Sequence, residues 1–293
     1  MKLNRFFLPI LILALLPAAL RAQVSPTSAE DLKQSMEHRA EMREYSPFKE
    51  YPIRSVGPTI MSGRVSDIAV HPENDRVFYV GYASGGVFKT ENGGNRMYPV
   101  FDHQGALGVG DMALSRANPD ILWVGTGENN SSRSSYAGAG VFKSTDGGKS
   151  WMNAGLTHTQ HIGRIVTHPS DENTAWVASI GALYSKNNER GVYKTTDGGK
   201  NWDKTLFIND STGVIDLLIH PENPDILWAA AWERDRKAWN FKEGGEGSGI
   251  YKSTDGGETW NKINRGLPQG DFVGRIGLDI SPSNPDILYA LID

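Results

Sequence analysis

The chain has 293 residues and a formal net charge of −4, with 33 glycines (about 11% against a usual ~7%), 10% aromatic residues and no cysteine. Disulfide frameworks, zinc–thiolate sites and cysteine nucleophiles are excluded outright, and collagen-like and disordered classes fail on composition. The acidic balance also argues against nucleic acid or an anionic membrane surface as partner.

At the N-terminus, Lys2 and Arg5 precede an apolar run from Phe6 to Leu16, followed by the small residues Ala18, Ala19 and Ala22. This is the layout of a secretory signal peptide over residues 1–22, and the run is too short and too proline-broken for a membrane anchor. Its removal takes away three basic residues and leaves a net charge of −7. An exported chain without cysteine suits a secreted or periplasmic bacterial protein, with no membrane association after cleavage. Residues 23–50, rich in Glu, Lys, Arg and Met, read as a helical or loose arm.

From residue 51 onward a repeat dominates. Ser144-Thr-Asp-Gly-Gly-Lys-Ser-Trp151, Thr195-Thr-Asp-Gly-Gly-Lys-Asn-Trp202 and Ser253-Thr-Asp-Gly-Gly-Glu-Thr-Trp260 are three copies of one motif, and Thr90-Glu-Asn-Gly-Gly-Asn-Arg-Met97 is a degenerate fourth. The spacings are 54, 51 and 58 residues. Ile68-Ala-Val-His-Pro72, Ile165-Val-Thr-His-Pro169 and Leu217-Leu-Ile-His-Pro221 precede them, each followed by an Asn/Asp/Pro turn and a second short apolar strand. Four strands in about 50 residues describe a propeller blade, so the sequence predicts an all-β propeller of four-stranded antiparallel blades. The expected blades are 63–105, 108–156, 161–208 and 213–268, with a partial blade at 272–293. Tyr51 to Pro58 resembles a fourth strand with no strands before it. It reads as the closing strand of a ring, which makes the chain the N-terminal part of a larger propeller.

The repeated Asp-Gly-Gly turn assigns its residues structural work. The carboxylates of Asp146, Asp197 and Asp255 accept backbone N–H bonds, the glycines permit positive φ, and Trp151, Trp202 and Trp260 fold over the hairpins. One acid per loop is too few for calcium, and an identical acid in every blade is a poor nucleophile, so no metal or cofactor is expected. These turns share one face of a propeller, which leaves the long insertions 127–139, 181–190 and 231–248 on the other, where binding usually resides. In the longest of these, Trp232 and Trp239 lie beside Arg234, Asp235, Arg236 and Lys237, a mixture suited to sugars or a peptide unless the two rings pack their own loop. At the mouth of the central tunnel, Asp67, Asp111, Arg164 and Asp216 stand four residues before the turn position, with Gly277 in the fifth unit. Arg164 and Asp216 are candidate ligand contacts there, unless these charges serve neighbouring backbone groups. His158 and His161 lack an evident acid partner.

With these residues in view, the chain resembles the Asp-box propeller superfamily from about Tyr51 to Asp293. It looks most like bacterial secreted proteins labelled glycosyl hydrolase, related to xyloglucanases and to the sortilin propeller. The resemblance implies a polysaccharide ligand, or alternatively a protein or peptide partner on a non-catalytic propeller. It also places a catalytic acid of the first blade at Ala83, so the family's acid is missing. Asp67 and Asp111 are the substitutes the chain offers. Sialidases share the box but need an arginine triad, whose usual Arg-Ile-Pro start does not occur in the sequence.

Overall fold

The computed structural model describes residues 25–51, 63–263 and 265–293. The signal peptide and all but the first residue of the closing strand therefore lie outside the described residues. The arm is helical as α1 (Ala29–Glu44), capped by Ser28, whose hydroxyl oxygen accepts from the Asp31 N–H at 3.1 Å.

The rest is a β-propeller. Its first sheet holds β1 (Val65–Val70), β2 (Phe78–Tyr82), β3 (Gly86–Thr90) and β4 (Tyr98–Pro99), and its second β5 (Val109–Leu114), β6 (Leu122–Thr126), β7 (Val141–Ser144) and β8 (Met152–Asn153). The third holds β9 (Ile162–Thr167), β10 (Ala175–Ser179), β11 (Gly191–Thr195) and β12 (Asp203–Leu206). The fourth holds β13 (Thr212–Ile219), β14 (Leu227–Glu233), β17 (Gly249–Ser253) and β18 (Asn261–Ile263), interrupted by a ribbon of β15 (Asp235–Arg236) and β16 (Phe241–Lys242). A fifth pairs β19 (Ile276–Ile280) with β20 (Leu288–Ile292). All pairings are antiparallel between successive strands, apart from the ribbon that separates β14 from β17. Second strands such as Ala175-Trp-Val-Ala-Ser179 are largely apolar because sheets cover both of their faces, and every residue of β10 is buried. Outer strands are short and exposed, as in β8.

The Asp-box turns close each sheet and also join it to its neighbour. Asp146 Oδ1 accepts from the N–H groups of Lys149 and Ser150 at 3.0 and 2.9 Å. Asp197 does the same with Lys200 and Asn201, and Asp255 with Glu258 and Thr259. Both glycines of each box have φ between +68° and +91°, a region closed to most side chains. The indole N–H of Trp151 then donates to the Val100 carbonyl at 2.7 Å, and Trp202 to the Ala154 carbonyl at 2.7 Å, each in the preceding sheet or just after it. Trp260 reaches the Thr205 hydroxyl at 3.2 Å.

From the other side, a lysine and an aromatic of one sheet hold the first box glycine of the next. Lys89 Nζ and the Tyr79 hydroxyl both donate to the Gly147 carbonyl, at 3.1 and 3.0 Å. Lys143, stacked 4.4 Å over the Trp123 ring, donates to the Gly198 carbonyl at 3.1 Å. The Trp176 indole donates to the Gly256 carbonyl at 3.0 Å beside Lys194.

The box acids titrate accordingly. The Ser150 hydroxyl and N–H hold Asp146 down to about 2, Thr259 does the same for Asp255, and the Asn201 N–H and amide do so for Asp197. A folded pKa below the unfolded value contributes stability that is full above the ordinary Asp pKa and lost as pH falls from about 4 to about 2. Replacing Asp146 and Asp255 together by Asn should therefore flatten the acid limb of a melting-temperature profile between pH 4 and 2. An unchanged limb would count against this account.

Candidate functional site

Each of the four inner strands β1, β5, β9 and β13 slips register one residue before its tunnel-mouth position, at Ser66, Gly110, Gly163 and Ile215. A bulge re-aims the following side chain, here Asp67, Asp111, Arg164 and Asp216. The three acids then reach across to the next inner strand. Asp67 Oδ2 accepts from the Met112 N–H at 2.9 Å, Asp111 Oδ2 from the Ile165 N–H at 2.7 Å, and Asp216 Oδ2 from the Leu278 N–H at 2.8 Å. In the third unit an arginine replaces the acid and bridges its neighbours, with Arg164 Nη1 at 3.1 Å from Asp111 Oδ1 and Nε at 2.9 Å from Asp216 Oδ1. The Leu217 N–H, left without an acid from the third unit, is taken by Asp216 Oδ1 at 2.9 Å.

Burial pushes Asp67 up and Asp111 well above the usual carboxylate range, against the pull of backbone N–H groups on the first and of Arg164 on the second. Their charges in turn raise the Arg164 guanidinium, Asp111 most of all. Asp67 and Asp111, the substitutes for a catalytic pair, are thus engaged in joining strands. Ala83, directly after β2, is buried, and its N–H donates to the Arg64 carbonyl at 2.9 Å.

Arg164 and Asp216 line a polar pocket of about 240 Å³ with Glu128, Asn130, Arg64 and Arg275. Arg64 pairs with the buried Glu128 carboxylate, and Asn130 donates to Glu128 at 3.1 Å and accepts from Arg275 Nη1 at 3.3 Å. The Glu128 carbonyl also meets His161 Nδ1 at 2.8 Å, and burial beside Arg234 drops that imidazole to about 4. The sequence reading missed Arg64 and Arg275. Their signal was the thrice-repeated Gly-Arg-Val/Ile at 63–65, 163–165 and 274–276.

The longest insertion differs from expectation in two residues. Trp232 is only 3% exposed: its indole donates to the Glu243 carbonyl at 2.8 Å, and its ring packs on Phe241 between the guanidiniums of Arg234 and Arg275. Arg234 is buried as well, with Nη1 donating to the Leu183 carbonyl at 3.2 Å. Its planar fork fits the backbone of the neighbouring insertion, which leaves it turned away from solvent. Trp239 is 79% exposed. Two aromatics the sequence reading passed over accompany it, Tyr136 at 63% and Tyr184 at 40% exposure, so that each of the three insertions carries one. Adjacent insertions are tied together, since the Tyr184 hydroxyl donates to the Arg133 carbonyl at 3.1 Å.

Comparison with known proteins agrees with this architecture. The xyloglucanase of a Paenibacillus species is 25% identical over 253 residues, 78% of this chain and 24% of that protein. A probable oligoxyloglucan-reducing end-specific xyloglucanase of Neosartorya fischeri is 23% identical over 230 residues, 73% of this chain and 25% of that protein. The chain thus spans about a quarter of the length of these relatives. Among solved structures, an ancestral GH74 enzyme superposes with a TM-score of 0.57 at 21% identity, covering 75% of this chain and 28% of its own. The GH74 enzyme of Niastella koreensis gives 0.55 at 24%, covering 76% and 33%. Residues 139–289 match the family Sortilin-Vps10, described as sortilin, neurotensin receptor 3. That match takes in just over half of the chain and spans its best-formed repeats, so the chain belongs to the Sortilin-Vps10 family.

Proposed function

We propose that this is an exported propeller that binds a polysaccharide of the β-glucan type, xyloglucan being the first candidate, without hydrolysing it. The observation that carries the reading is the set of exposed rings Tyr136, Tyr184 and Trp239, one in each insertion of the loop face. Such rings present flat apolar surface to the C–H faces of sugars. The xyloglucanase relatives supply the ligand class. The non-hydrolytic half rests on Ala83 and on the engagement of Asp67, Asp111 and Glu128, since a glycosidase needs two carboxyls about 5–9.5 Å apart and open to one substrate. Among the described residues no helix is long and apolar enough to cross a membrane, and export rests on the expected signal peptide.

Calorimetric titration with xyloglucan oligosaccharides tests the reading. Trp239→Ala should weaken binding roughly tenfold, equivalent to about 1.4 kcal/mol, with no change in melting temperature. Wild type should release no reducing sugar. Release that disappears in Asp67→Asn would overturn the non-hydrolytic half. Failure of wild type to bind any glycan while binding a peptide would favour the sortilin-like alternative.

A further inference from the structure

Helix α1 crosses the loop face above the first two sheets without sealing onto it. Only Ala29, Leu32 and Met36 are even partly covered, a stripe at spacings of three and four that continues as Arg39 and Arg43. Two hydrogen bonds tie the helix region down, from Arg39 Nη1 to the Gln104 carbonyl at 3.1 Å and from Gln160 Nε2 to the Thr27 carbonyl at 3.4 Å. Met36 rests against Gly105, where an added Cβ would lie 2.3 Å from its sulfur. Beneath the helix the propeller presents mainly small residues, Gly105 to Gly108 and Ala137 to Ala139, which leaves a groove of about 520 Å³. Its remaining walls are Leu32, Met36 and Tyr136, with Ser35, Arg39 and Ser84 among the polar groups.

We propose that this groove is a sugar-binding subsite roofed by α1, taking one ring of the polysaccharide that the insertion aromatics bind. The assignment rests on the reading of the preceding section and extends it to a part of the face that the sequence assigned to an arm. Size fits, because ligand pockets run at about 300–1,000 Å³. Chemistry fits as well: a pyranose has apolar C–H faces for Tyr136 on one side and Leu32 and Met36 on the other, and a rim of hydroxyls for Arg39, Ser35 and backbone carbonyls. Continuity supplies the occupant. Tyr136 belongs to the insertion whose Arg133 carbonyl accepts from Tyr184, so the groove adjoins the next aromatic along the face. A helix that buries none of its residues and stands over open space is a roof more than a packing element.

Ser35 is exposed, and Ser35→Trp would fill the groove from the helix side without touching the propeller core. Xyloglucan oligosaccharides of increasing length, titrated into the full chain, should bind Ser35→Trp and Tyr136→Ala about tenfold more weakly than wild type at the longest length. At the shortest length the effect of Ser35→Trp should vanish. Hydrogen exchange at residues 29–44 should slow on addition of the long oligosaccharide to wild type. If Trp239→Ala and Tyr136→Ala weaken binding while Ser35→Trp binds like wild type and exchange in α1 is unchanged, the subsite is overturned and the glycan reading stands. If wild type binds no oligosaccharide of any length, both are overturned.

Discussion

Replacing Arg164 by Met should lower the unfolding free energy by about 2–4 kcal/mol at pH 7.5. Removing one member of a buried ionic pair costs roughly 3–5 kcal/mol, and the lower range applies because the Arg164 side chain is 39% exposed and partly screened. What makes the change costly is what it leaves behind. Asp111 and Asp216, almost wholly buried, would face each other with backbone N–H donors but no cation between them.

The pH dependence separates this cause from simple loss of packing. Asp111 already has its folded pKa raised above the unfolded value, so the folded state holds the proton more tightly and its contribution to stability falls as pH rises through that interval. Without Arg164 the folded pKa rises further, and the loss extends to higher pH. Urea unfolding of wild type and variant should therefore differ little at pH 4, where Asp111 holds its proton, and most at pH 7.5. An equal difference at both would assign the effect to packing.

Trp123→Ala should cost about 3–5 kcal/mol, the usual range for emptying a fully buried aromatic site. Trp123 has no exposed surface, meets the Trp202 ring edge-on at 6.0 Å, carries Lys143 over its face and lies against Gly199 of the next turn. The substitution therefore opens a cavity and releases two contacts between the second and third sheets together. Thermal unfolding read by near-ultraviolet circular dichroism would report it, and a loss below about 1 kcal/mol would show that the neighbouring sheet collapses into the space.

The propeller was legible in the sequence because each unit spells out its own turns: an Asp-Gly-Gly corner and a His-Pro corner are fixed by local chemistry, and the strands between them are apolar runs of fixed length. The candidate site was legible only in position. Counting back from the His-Pro corner located Asp67, Asp111, Arg164 and Asp216, yet their partners lie on other strands, about 45–62 residues away in sequence. Arg234 was assigned to the surface because an insertion has no period from which to infer a face. Its partners, the carbonyls of residues 181–183, belong to another insertion. Tyr136 and Tyr184 went unremarked because a single aromatic in an irregular loop carries no signal until its neighbours in space are known.

The lysine and tryptophan links between sheets all sit at the Asp-box end of the molecule. At that end the sheets are joined through a chassis of tight corners, each coupled to its immediate neighbour as in a one-dimensional array, in addition to the acid links between the inner strands. The insertions at the opposite end take no part in those corners, and Tyr184 and Arg234 tie neighbouring insertions to one another instead. They can lengthen, shorten or change their aromatic residues at small cost in cooperativity, since loop-closure entropy grows only slowly with length. A scaffold divided in this way can acquire new ligands by loop replacement alone, with the corners copied unchanged from one unit to the next.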